Sequence, residues 1–153
     1  MGDLKLSETQ YTLVLFIYGL AYLCGGLLAS TLQKHLGVRA QIDTGLILLG
    51  GSGLILLLIL KLQIVSTATL LLPMCFSAIA VTVTRPAAIS AAMLLFSANA
   101  GTAASTGNSL MFIAAAATSA VIARSGADLL PAIALVFIVF SVFGLVSSAR
   151  LNH

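Results

Sequence analysis

The tetrapeptide Gly50-Gly51-Ser52-Gly53 has the G-x-S-G form of an intramembrane serine nucleophile. Such a serine attacks only when a base within hydrogen-bond reach takes its proton. The two histidines, His35 and His153, fall in a connecting segment and at the last position, so neither is placed to act on Ser52. Close helix packing through small residues explains the same four residues and is the reading adopted. Cys24 and Cys75 sit in separate apolar runs and read as small packing residues, with no further ligands nearby to suggest a metal or any cofactor. A proton-coupled pump needs a titratable group at membrane depth. The four acids, Asp3, Glu8, Asp43 and Asp128, all fall at or outside the ends of the apolar runs.

Arg85 is the outlier, because it lies within an apolar stretch that extends to about Met93. Eight residues of helix place it roughly 12 Å from that end. A guanidinium at membrane depth costs about 2.5–3.5 kcal/mol on insertion scales unless it meets water or an acceptor. Two readings stand: a cavity-facing group for anionic or polar substrate atoms, and an arginine that snorkels to the interface. Asn108 is the most expensive polar side chain of its segment to leave facing lipid, and it either packs on a neighbouring helix or lines a polar cavity. Tyr18 and Tyr22 are four residues apart and share a helix face, available for packing or as an aromatic wall.

These residues need a scaffold that the composition defines. Of 153 residues, 60% are hydrophobic and 7% are charged, and the mean hydropathy is +1.16. Soluble domains carry roughly 25% charged residues, so this chain could not cover a surface in water. A bilayer fits, with helices satisfying the backbone internally. The net charge of +3 comes from isolated lysines and arginines, which gives no basis for nucleic-acid binding. The expected fold is an all-α membrane protein with about five transmembrane helices in a single transmembrane domain, 1–153.

Stretches of about 20 apolar residues predict spans at 11–32, 44–60, 66–93, 98–123 and 129–146. Asp43 is placed to cap the second span. Pro73 and Pro86 lie near the two ends of the third, and Pro131 fits the first turn of the fifth. Ending the third span at Thr84 leaves the count unchanged. With the first connection cytoplasmic, Lys34, Arg39, Arg85 and Arg150 fall inside against Lys5, Lys61 and Arg124 outside. Four against three favours an external N-terminus and an internal C-terminus.

Between the third and fourth spans, Pro86 opens a small-residue run ending in Ala92-Met93, and Ala100-Gly101-Thr102-Ala103 follows. This junction resembles the Bcr/CflA drug-resistance branch of the major facilitator superfamily in residue type and spacing. Gly37-Val38-Arg39 is similar to the weaker second copy of that superfamily's loop motif. The resemblance covers essentially the whole chain. It implies that the five spans are the family's helices eight to twelve, a partial C-terminal bundle of a major facilitator fold. It implies a place in a bacterial inner membrane and a part in proton-coupled efflux of amphipathic small molecules. By position within the family, Tyr18, Tyr22, Arg85, Asn108 and Met111 become substrate-pathway candidates. Arg85 stands where relatives tend to have an apolar residue, and Met111 where they often have glutamine. The family's coupling acid belongs to its N-terminal half. The expectation is therefore a fragment or half of a split permease, partnered in the bilayer by a separate N-terminal half or a second chain. The alternative is a non-transporting scaffold or modulator that binds another membrane protein through its Ala/Gly-rich fourth helix.

Overall fold

A computed structural model describes residues 8–125 and 128–150, apart from the side chain of Ser125. Asp3, Lys5 and His153 lie outside the described residues. Within them the chain forms five α-helices and one 3-10 turn: α1 (Glu8–His35), α2 (Val38–Lys61), α3 (Thr67–Leu95), η1 (Ser97–Asn99), α4 (Ala100–Ser125) and α5 (Leu129–Arg150). The α-helices have 22 to 29 residues, or about 33–44 Å at 1.5 Å per residue. All five are long and apolar enough to cross a membrane.

The environment follows from which side chains face outward. Leu27, Leu95, Phe112 and Phe143 are each at least 70% exposed, while Gln41, Ser52 and Ser141 are at most 4% exposed. A water-soluble bundle has the opposite arrangement. Apolar outer faces and satisfied polar groups inside belong to a protein solvated by lipid. The chain is an all-α, multi-pass membrane protein.

The helices extend beyond the apolar cores marked by the sequence, because the flanking polar residues are good helix formers once the interface solvates them. The expected connection over 33–43 shrinks to Leu36 and Gly37. Asp43 is therefore not a cap. It lies in the second turn of α2 and pairs with Arg39 across i,i+4 at 3.9 Å, while Gly37 holds the N-cap position with extended backbone. Gly37 and Arg39, expected in a loop, thus begin a helix. The third helix starts at Thr67, because Ser66 and Thr69 form a capping box. It runs through Pro73 and Pro86 to Leu95 without a break. The fourth starts at Ala100 rather than 98, after the η1 turn.

Side-chain donors reaching backbone carbonyls join the helices. Gln41 on α2 donates Nε2–H to the Val83 carbonyl of α3 at 3.1 Å and to the Ala29 carbonyl of α1 at 3.4 Å. Ser52 donates to the Pro73 carbonyl, and Ser141 of α5 to the Leu46 carbonyl of α2, each at 2.7 Å. Arg39 also donates to the Ser148 carbonyl, so the start of α2 and the end of α5 share one membrane face. Glycines allow the close approach. A methyl group on Gly53 would lie 2.9 Å from the Ala134 carbonyl oxygen, and one on Gly45 would collide with Thr84. The resulting spatial order is α1, α3, α2, α5. The remaining helix, α4, leans chiefly on α3, and none of its described residues is buried.

Candidate functional site

Ser52 is fully buried and its hydroxyl is committed to the Pro73 carbonyl. It lies 14 residues into α2, about 21 Å along the axis from the helix start. The one histidine among the described residues, His35, ends α1 near that start. Gly50 and Gly53 face α5, against Ser141 and the Ala134–Ile138 segment. The tetrapeptide is a packing element here, and its serine is a donor rather than a poised nucleophile. Among the described residues no three metal-ligating side chains cluster.

The polar chemistry concentrates at Arg85. It lies ten residues before Leu95, about 15 Å from the end of α3. Its Nη2–H donates to Asn108 Oδ1 at 3.1 Å. Asn108 is eight residues into α4, about 12 Å from the start of that helix, so the two side chains meet at matching depth. No carboxylate among the described residues lies within salt-bridge distance of Arg85. A guanidinium has five N–H donors, and the described residues fill one. Asp43 is held elsewhere, with Oδ2 toward Arg39 and Oδ1 buried without a hydrogen-bond partner.

Arg85 lies where two cavities meet. One, of about 610 Å³, opens between α2, α3, α4 and α5 and is lined by Ala88, Ala92, Gly107, Met111, Phe140 and Phe143 among others. The second, of about 750 Å³, lies between α1 and α3, with Tyr22, Gly26, Leu27, Pro86 and Ile89 around Arg85. Both walls are almost wholly apolar. An apolar concavity with a few convergent polar groups is the usual form of a small-molecule site.

The structure thus brings Tyr22, Arg85, Asn108 and Met111 into one neighbourhood. Tyr18, one turn before Tyr22, is half-buried and lines neither cavity. Of the junction residues, Pro86 faces the second cavity, and Ala92, Thr102 and Ala103 wall a smaller one of about 440 Å³ beside η1. Met93 is exposed, Ala100 begins α4, and Gly101 has open space where a side chain would stand. Gly107 is equally open. Neither of these two glycines therefore serves a close helix contact among the described residues. Sequence reasoning missed Gln41, which it placed in a connection, and the α5 pair Phe140 and Phe143. An amide flanked by apolar residues was the available signal for Gln41.

No protein-family model, curated protein or solved structure matches this chain.

Proposed function

We propose that this chain is the C-terminal portion of a proton-coupled efflux transporter of the Bcr/CflA type in a bacterial inner membrane. Its five helices would correspond to helices eight to twelve of a major facilitator fold, and its partner would be an N-terminal half or a second chain. The cargo is an amphipathic small molecule. The observation that carries this reading is the meeting of Arg85 and Asn108 at matched membrane depth, between two apolar cavities and beside Tyr22 and Met111. The junction residues support it, since they sit where α3 turns through η1 into α4.

The chain is assigned a share in transport and not the whole of it, on two grounds. Its described acids are Glu8 and Asp128 at helix starts and Asp43 paired with Arg39, so none lines either of the two cavities at Arg85. Alternating access also needs two bundles moving about a site at their interface. The scaffold reading draws on one observation as well, the unburied face of α4.

Reconstitution in proteoliposomes tests the proposal. Paired with the N-terminal seven helices of a Bcr/CflA transporter, the chain exports a fluorescent amphiphilic dye when an inward proton gradient is imposed, and Arg85→Leu changes that export. Export against a gradient by the chain alone overturns the proposal. So does failure of the paired halves to export any of a panel of anionic, neutral and cationic dyes.

A further inference from the structure

The groove between α3, α4 and α5 has the features of a seat for a further helix. It follows α3 from Ala80 to Ala92 and α4 from Ala103 to Met111, which is about 18 Å and 12 Å along the two axes. Its walls are small where a neighbouring backbone would approach: Ala88 and Ala92 on α3, Ala103, Ala104 and Gly107 on α4. Among the described residues no atom lies within 4 Å of where a side chain on Gly107 would begin. The helix on its far wall, α4, has none of its described residues buried. Small residues at such a wall allow close helix packing in lipid, where packing and polar bonds drive association.

Charge identifies the occupant. Arg85 lines this groove as well as the α1–α3 cavity, and among the described residues it has one acceptor, Asn108, and no carboxylate in reach. A purely apolar helix would leave the remaining guanidinium donors in a dry interface, which is the costly outcome for a charge. A helix with one carboxylate at that depth would accept two of them in fork geometry. Among its described acids, a second copy of this chain offers none at that depth. Glu8 opens α1, Asp128 precedes α5, and Asp43 is held by Arg39 on α2, which is enclosed between α3 and α5. We infer that the groove between α3, α4 and α5 receives a transmembrane helix from a partner chain, and that this helix presents an Asp or Glu to Arg85. The inference rests on the reading that this chain is one part of a larger membrane assembly.

The depth of the carboxylate follows from α3. Its 29 residues span about 44 Å against a hydrocarbon core of roughly 30 Å, so about 7 Å projects at each end. Arg85 then lies about 8 Å inside the boundary, equal to about five helical residues.

The test uses the full chain in phosphatidylcholine vesicles with a synthetic Leu/Ala helix of about 20 residues. One peptide carries Glu about five residues from one end, and its twin carries Gln. Energy transfer between labels on chain and peptide reports association. The Glu peptide is expected to bind about tenfold more tightly than the Gln peptide, within the range of polar pairs between membrane helices. Arg85→Leu removes that preference. Gly107→Phe and Ala104→Phe, which fill the groove from α4, weaken both peptides, and circular dichroism with gel filtration establishes that each variant folds. Equal binding of the two peptides to the native chain overturns the inference, as does a Glu preference that survives Arg85→Leu. If phosphatidic acid in the vesicles abolishes the Glu preference by occupying Arg85, the groove is a lipid-phosphate site and the inference falls. The readout is association and not export. Peptide docking without dye export would leave this inference standing and remove the permease reading.

Discussion

Gly51 and Gly53 are two residues apart on α2, yet the structure assigns them opposite responses to the same substitution. A methyl group added at Gly53 would lie 2.9 Å from the Ala134 carbonyl oxygen, 2.9 Å from Ile138 Cγ1 and 3.1 Å from Phe137 Cβ. Two of those three atoms belong to the α5 backbone or its first side-chain carbon and cannot swing away. One added at Gly51 meets nothing within 4 Å. Replacing glycine by alanine inside a helix gains about 0.8–1.0 kcal/mol of propensity at either position, and this term cancels in the comparison. What remains is overpacking at Gly53 alone, typically about 1–3 kcal/mol. At roughly 2–4 °C per kcal/mol for a chain of this length, Gly53→Ala melts about 2–12 °C below Gly51→Ala. Both variants are heated in detergent, and the fraction still eluting as folded monodisperse protein is read by gel filtration. Equal midpoints, or a lower midpoint for Gly51→Ala, would refute the α2–α5 packing from which Gly53 takes its role.

Two further outcomes follow from the same interior. Gln41→Met keeps the approximate volume but removes the donors to the Val83 and Ala29 carbonyls. With such bonds averaging about 0.6 kcal/mol in membrane proteins, the variant loses roughly 1 kcal/mol, and an unchanged melting midpoint would show the amide to be idle. A fluorophosphonate probe leaves the native chain unlabelled, because the Ser52 hydroxyl is buried and donates to the Pro73 carbonyl. Labelling that disappears in Ser52→Ala would make Ser52 a nucleophile after all.

The sequence exposed the number and rough position of the helices because apolar runs in this chain are long and separated by charged or polar residues. Helix ends were less legible. Polar residues such as Gln33, Lys34, Arg39 and Gln41 look like a loop to a hydropathy reading, yet they continue α1 or begin α2. Arg85 stood out because a charge inside an apolar run is costly wherever it points. Its partner could not be read, since Asn108 is 23 positions away and only the turn through η1 brings it to the same depth. Tyr18 was grouped with Tyr22 by helical spacing. The second cavity reaches only Tyr22 because it lies beside the later turns of α1, along Leu23, Gly26 and Leu27. The α4 small residues suggested close packing by composition, but composition does not say whether the packing partner is in the same chain.

Arg85 ties these observations together energetically. An arginine at the middle of the hydrocarbon costs about 2.5–3.5 kcal/mol, which bounds the cost at Arg85 from above. One hydrogen bond between membrane side chains returns about 0.6 kcal/mol on average and about 1.7 at most, so the shortfall that Asn108 leaves is at most about 3 kcal/mol. Snorkelling would direct the guanidinium to the interface, but here it turns across to α4. That contact holds the guanidinium beside the groove where the bundle is also least packed. The electrostatic shortfall and the packing shortfall therefore fall at one place. A single carboxylate-bearing helix would relieve both, whereas a lipid tail fills the groove without meeting the charge and a bound water meets the charge without filling the groove.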